Sequence, residues 1–317
     1  MESEAKDHIL FVGLGGAGSR LALQAKEKLN SDCLLISHDS KDLNSESSKI
    51  LINTGSVLNP SSYLIRGLSL GTIDSVSEKI SDYSTVVIIA NLAGKAGTAL
   101  APLVSQAAKD RRKHVISFAI MPFKFEKERI FQAGISLKRL RANSGCTIVI
   151  DNDALLDSNP DLSPNACYQI ANNAILEVIS SLKSSSIPDD TNILSTSKNV
   201  PDVQTSLRDS IKMLYEDAPP NSVKRAMLYV LGGRDVPVGV LNSITSTVRG
   251  IFNDDSTAVS MSVTTSDESK VMMLTSVQGE TRFDSYDPLG MIPSENTLDW
   301  DTPDCSIECE LDLVQLE

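Results

Sequence analysis

Residues 9–18 read Ile9-Leu10-Phe11-Val12-Gly13-Leu14-Gly15-Gly16-Ala17-Gly18, a short apolar run that passes straight into a glycine-rich turn. Residues 19–29 then carry apolar side chains at helical spacing. The run 9–12 is continuously apolar, the pattern of a strand covered on both faces of a parallel sheet. Gly13, Gly15 and Gly18 satisfy G-x-G-x-x-G. Glycines let the backbone approach a phosphate closely, and amides at the start of a helix meet its charge. Asp39 lies about 20 residues further on, where a dinucleotide-binding protein keeps a ribose-binding acid. On this stretch alone an NAD or FAD site, another nucleotide site and a plain strand-to-helix turn all stay open.

Working outward, the runs 33–36, 85–90, 114–120 and 147–150 are also apolar and rich in Val, Ile and Leu, with helical patterns between them, as at 101–108. The series is β-α-β-α, which predicts an α/β fold with a doubly wound, Rossmann-like parallel sheet and right-handed crossovers. The run 85–90 ends in a second glycine-bearing loop, Asn91-Leu92-Ala93-Gly94-Lys95-Ala96-Gly97-Thr98-Ala99. A mononucleotide with several phosphates needs amide donors on more than one side, and two such loops facing each other supply them. The alternative is an ordinary loop with Thr98 capping a helix.

Residues 163–182 predict one long helix, with Ser163 as cap and Pro164 in the first turn. The polar stretch 183–203 predicts a loop or domain junction. Beyond it, helical 204–215 and 241–251 and strand-like 226–231, 258–264 and 271–277 predict a smaller α+β unit. Residues 286–317 hold nine acidic residues and no Lys or Arg, which predicts a disordered acidic tail. The expected organisation is therefore 1–162 for nucleotide binding, 163–203 for the central helix and junction, 204–283 for the second unit and 284–317 for the tail.

The chain has 317 residues, 41% of them hydrophobic and only 4% aromatic, so its core must be built mostly from Leu, Ile, Val and Ala. Its net charge of −12 argues against a nucleic-acid surface, which needs clustered cations to release counterions. No apolar run nears the roughly 20 residues that span a bilayer, so no membrane insertion is expected. The acidic start, without a leader-like apolar stretch, predicts a cytoplasmic protein. Cys305 and Cys309 are the only close pair among five cysteines, and with three histidines in the chain no structural metal is expected.

Five linked motifs together resemble the FtsZ/tubulin family. Gly13–Gly18 resembles its first nucleotide loop. Gly94 to Pro102, with Gly97-Thr98 and Ala101-Pro102, resembles its phosphate signature. Pro122-Phe123-Lys124-Phe125-Glu126 matches P-F-x-F-E, and Gln132-Ala133-Gly134-Ile135 through Leu140-Arg141 matches the helix after it. Thr147-Ile148-Val149-Ile150-Asp151-Asn152-Asp153-Ala154-Leu155-Leu156 is similar to T-L-I-V-I-P-N-D-x-L-L. Residues 226–249, with the turn Gly232-Gly233-Arg234-Asp235, resemble the family's C-terminal domain.

The resemblance implies GTP or GDP as cofactor, with Mg2+ as a candidate companion. It implies that Gly15, Gly16, Ala17 and Gly18 face the phosphates, that Asp39 sits in the second nucleotide loop, and that Gly94, Ala96, Gly97 and Thr98 cradle the outer phosphates. Glu126 would meet the ribose, Asn152 the base or sugar edge, Tyr168 would stack on guanine and Asn172 would hydrogen-bond it. Where the family pattern is G-G-G-T-G-T-G, this chain has Lys95, Ala96 and Ala99. Lys95 and Arg20 are each read either as a phosphate contact or as a solvated cation. Ile130 falls where the family has a basic residue.

Hydrolysis in this family is completed by acids from the next subunit, at N-L-D-x-x-D. The nearest match is Asp189, Asp190 and Asn192, alternatively a polar turn. Three functions follow: a polymerising GTPase that assembles head to tail; a scaffold of the same fold that holds nucleotide and hydrolyses it weakly or not at all; and an NAD- or FAD-dependent oxidoreductase resting on Gly13–Gly18 and Asp39. The acidic tail is expected to dock an adaptor or an FtsZ paralogue through the apolar residues of 308–316.

Overall fold

The continuously apolar runs become the centre of one sheet. The computed structural model describes residues 8–43, 47–182, 187, 189–198, 200, 202–232, 236–252, 258–264 and 269–287. In chain order the elements are β1 (Ile9–Leu14), α1 (Gly15–Leu29), β2 (Asp32–Ser37), β3 (Ser48–Leu51), α2 (Ser62–Ser69), α3 (Ile73–Ile80), β4 (Thr85–Asn91), α4 (Lys95–Asp110), β5 (His114–Met121), α5 (Lys127–Asn143), β6 (Cys146–Asp151), α6 (Asn152–Ser158), α7 (Pro164–Ser181), β7 (Thr191–Ser195), α8 (Val203–Asp217), β8 (Val223–Leu231), α9 (Val238–Phe252), β9 (Ala258–Thr264) and β10 (Lys270–Val277). The fold is α/β, as the sequence predicts.

The ten strands are ordered β3-β2-β1-β4-β5-β6-β7-β10-β8-β9. From β3 to β7 every neighbouring pair is parallel, whereas β10 is antiparallel to both β7 and β8. Side chains alternate across each strand, so β1 sends Leu10, Val12 and Leu14 into one core and Phe11 into the other. Helices α4, α5 and α8 cover the first face, and α1 and α7 the second. The long helix starts as predicted: the Ser163 hydroxyl accepts from the Ala166 amide and Pro164 takes the first position, whose amide would have no helical partner. Among the described residues no helix is long and apolar enough to cross a membrane.

Two expectations change. The stretch 183–203 is not only a loop, because β7 forms inside it, parallel to β6 and antiparallel to β10. Its local sequence, Thr191-Asn192-Ile193-Leu194-Ser195, is a weak strand pattern; pairing on both edges supplies what propensity does not. The expected tail boundary at 284 also moves, since residues 282–286 form a short 3-10 helix with Phe283 buried and a capping box at Thr281. Residues 288–317 and the turn residues Gly233, Arg234 and Asp235 lie outside the described residues.

That short helix adds an ionic tie between the two parts of the sheet. Arg282 lies 2.5 Å from Asp153, 3.5 Å from Asp151 and 3.8 Å from Asp217. Asp151 ends β6 and caps α6, and Asp217 ends α8. Both are fully buried. Burial raises the Asp151 carboxyl to about 6, and burial beside Asp151 pushes Asp217 well above its ordinary value. Buried charges of this kind persist only when paired, and removing one partner typically costs about 3–5 kcal/mol. We expect R282A to lose stability by about that amount in urea unfolding at pH 8. Because raised carboxyls are neutral in the folded state at low pH, the deficit shrinks as pH falls through 6 toward 5. A deficit independent of pH would show that pairing with Asp151 and Asp217 contributes nothing, since Asp153, held low despite its burial by hydrogen bonds to Lys124 and Arg282, stays charged over this range.

Candidate functional site

Parallel strands place all their C-terminal ends at one pole of the sheet, and the two glycine loops meet there. β1 runs into α1 through Gly15, which adopts φ +67°. L-residues with a side chain resist this left-handed conformation. β4 runs into α4 through Gly94. The loops touch: a Cβ on Gly15 would lie 3.0 Å from the Ala96 Cβ and 3.7 Å from the Gly97 amide nitrogen. Gly97 packs so closely that a Cβ would come within 2.1 Å of the Asn91 carbonyl oxygen, and on Gly18 within 2.3 Å of that of Ile89.

The helix starts differ in how they are closed. The N-termini of α2, α6, α7 and α8 are each closed by a side chain, from Ser61, Asp151, Ser163 and Asp202. Those of α1, α3, α4 and α5 have no side-chain cap, and of these α1 and α4 begin at the two glycine loops that touch. Their first-turn amides point out of adjacent helix ends with the positive dipole ends behind them, an arrangement that favours a polyanion. This is the observation by which the pole fits a nucleotide phosphate chain. The Thr98 hydroxyl is committed to the loop, donating toward the Leu92 and Gly94 carbonyls at 2.6 and 2.9 Å. That leaves the first-turn backbone amides as the free donors of the loop.

Lys95 is exposed at the start of α4 and donates to Asn59 Oδ1 at 2.6 Å. Beside it opens a polar cavity of about 420 Å3 lined by Asn59, Lys95, Thr98, Glu128, Arg129 and Gln132. Arg129, absent from the sequence expectations, thus stands next to the phosphate loop. Its guanidinium is 2.6 Å from Glu126 Oε1, one helical turn back. The signal was legible: Glu126 and Arg129 are three residues apart at a helix start, where side chains meet. Arg129 directly precedes Ile130, the position where the family pattern has a basic residue. Asp42 was also overlooked. Its Oδ1 lies 2.6 Å from where a Cβ on Gly16 would sit, and its Oδ2 accepts from the Ser37 hydroxyl. Asp39, by contrast, is exposed and accepts from the Lys41 amide.

Tyr168 and Asn172 are half-buried one turn apart on α7, which packs along α1. Tyr168 meets Phe123 edge to face, with centroids 5.3 Å apart, and Phe123 stacks on the exposed Phe125. Burial and the nearby Glu126 carboxylate raise the Tyr168 phenol. Asn152 is different: it is completely buried and donates to the Met121 carbonyl, so its side chain braces the end of β5 and is not on the surface. Arg20 is exposed on α1.

The acidic pair lies at the other pole. Asp189 is exposed and 4.0 Å from His114, the first residue of β5. The Asp190 carbonyl accepts from Thr147 at the start of β6, and its carboxylate from Ser276. Asn192 is buried within β7, with its amide bonded to the Asp190 carbonyl.

The phosphate loop makes a sharp prediction. G97A drives a methyl into the Asn91 backbone and should cost about 1–3 kcal/mol of stability, as overpacking does. G94A meets nothing nearer than 3.3 Å and should cost clearly less. Thermal unfolding of the two variants, side by side, checks this order.

Comparison with known proteins bears on the same residues. Residues 8–160 match the family model described as the GTPase domain of the Tubulin/FtsZ family. Cell division protein FtsZ 2 of Methanocaldococcus jannaschii is 24% identical over 274 residues, covering 74% of this chain and 70% of that protein. A solved mutant FtsZ from M. jannaschii superposes with a TM-score of 0.69 at 19% identity, over 87% of this chain and 92% of the other. CetZ2 from Haloferax volcanii, solved as a GTPγS-bound protofilament, superposes with a TM-score of 0.67 at 15% identity, over 89% of this chain and 97% of the other. The family match includes both glycine loops, which removes the ground for a dinucleotide oxidoreductase. Residues 8–160 are thus a GTPase domain of the Tubulin/FtsZ family, and the chain is a divergent FtsZ-like protein.

Proposed function

We propose that this protein binds GTP or GDP at the glycine-loop pole, assembles head to tail into cytoskeletal filaments, and hydrolyses GTP where two copies meet. The observation that carries this reading is the separation of parts. The uncapped helices α1 and α4 open at the C-terminal ends of the parallel strands, and Asp189 and Asp190 stand at the N-terminal ends. No single copy brings them together. A head-to-tail contact does, and repeating such a contact gives an open filament.

In this reading the first-turn amides of α1 and α4 hold the phosphates, and Lys95 and Arg129 offset their charge. Glu126 faces the ribose, and Tyr168 and Asn172 take the base. Mg2+ would be held chiefly by phosphate and water, as this ion commonly is, and would supply charge neutralisation. The carboxylates of Asp189 or Asp190 orient a water and accept its proton as its oxygen attacks the γ-phosphorus and the bond to the β-phosphate oxygen breaks. Asn192, bonded inside the sheet, leaves this task to the two acids. The solved CetZ2 protofilament with GTPγS supports nucleotide-bound assembly for a protein of this fold.

Phosphate release from GTP, measured as protein concentration rises, tests the proposal. Release should switch on above a critical concentration. D189N/D190N should lower it on the order of 100-fold while leaving GTP bound. K95A should weaken GTP binding by about tenfold or more, as expected for loss of a hydrogen bond to a charged group. GTP bound without release at any concentration would instead support the scaffold reading.

A further inference from the structure

Helices α8 and α9 leave between them an apolar groove of about 340 Å3. Leu207, Ile211, Ile244 and Ile251 line it, and Arg208 and Lys212 stand exposed beside them on α8. Among the described residues neither cation forms a salt bridge, although Arg208 sits in the field of Asp202 at the helix N-cap. An apolar floor beside two cations suits a ligand that interleaves leucines with carboxylates. The chain carries such a segment itself, Glu308-Cys309-Glu310-Leu311-Asp312-Leu313-Val314-Gln315-Leu316.

We propose that residues 308–316 dock into the α8–α9 groove of their own chain, the apolar side chains on the floor and the acids toward Arg208 and Lys212. Charge complementarity is strong, since residues 288–317 hold eight acidic residues and no Lys or Arg. Reach also fits. The described chain leaves from the short helix whose Arg282 lies 3.8 Å from Asp217, the last residue of α8. The 15 residues of α8 extend about 22 Å. The 20 residues from 288 to 307 span about 25 Å as a flexible coil. A tether of matching length holds its end near the groove at an effective concentration on the order of millimolar. Any partner recognising the same leucines must then displace the segment, so the groove controls its availability.

Cysteine positions allow a direct test in the full chain. Cys33, Cys146 and Cys167 are buried, and Cys309 lies within the segment. Ser243 lines the groove and is exposed, while Lys41 is exposed on the other part of the sheet. Under mild oxidation with copper phenanthroline and air, S243C should form a disulfide to Cys309 or Cys305 within one chain, identified by peptide mass. Its yield should not depend on protein concentration, should exceed that of K41C by at least about tenfold, and should fall in R208E/K212E and in 1 M salt, where screening is nearly complete. Yields from S243C equal to those from K41C, yields unchanged by R208E/K212E with unfolding temperature retained, or cross-links only between chains would each overturn the proposal.

Discussion

Because β1, β2, β4, β5 and β6 all run the same way, the molecule has two chemically different poles. At one end each strand hands over to a helix, and two of those helices begin in glycine with no side-chain cap. At the other end the strands begin, and the chain entering β7 brings Asp189 and Asp190 there. Neither feature follows from any single residue. Both follow from strand direction, which is set by right-handed crossovers through α1, α4 and α5. Polyanion binding and a carboxylate pair on one molecule would oppose each other if adjacent; in the proposed head-to-tail contact their opposite poles make them complementary faces.

The same sheet explains how the C-terminal half stays registered with the nucleotide pole. β7 is shared between the parallel and antiparallel parts, and Arg282 closes the arrangement from the other side by meeting Asp151, Asp153 and Asp217. Asp151 stands where the family pattern has proline. That one change gives β6 an acid fully inside the core, which needs both a cation and the α6 amide of Asp153 to be tolerable. Lys124, 3.0 Å from Asp153 and 2.5 Å from Asp157, extends the network to the segment that carries Glu126. The linkage between the two halves is therefore ionic at its centre and apolar around it.

The strands of the parallel sheet were legible because burial on both faces demands uninterrupted Val, Ile and Leu, a pattern few other structures need. The long helix was legible from Ser163 and Pro164. β7 was not, since three of its five residues are polar and its strand state depends on partners distant in sequence. β3, α2 and α3 are only four to eight residues long and bury just one or two apolar side chains each, Ile50, Ile65, and Val76 with Ile80, too few repeats for periodicity to carry a signal. At the site, the glycines could be read because close backbone approach excludes a Cβ. Asn152 could not be placed from its motif alone, because a buried amide bracing Met121 and a surface amide have the same sequence. Arg129 and Asp42 belong to no motif and are marked only by a neighbour, Glu126 one turn before Arg129 and Gly16 across the loop from Asp42.

The central claim is that the catalytic parts come from two copies. Mixing two inactive variants tests it most directly. D189N/D190N keeps the nucleotide pole but loses the acids; K95D keeps the acids but opposes the phosphates. Each alone should release little phosphate from GTP. Their mixture should recover turnover, because the acids of K95D then meet GTP held by D189N/D190N. A mixture no more active than the mean of its two components would contradict a site shared between subunits.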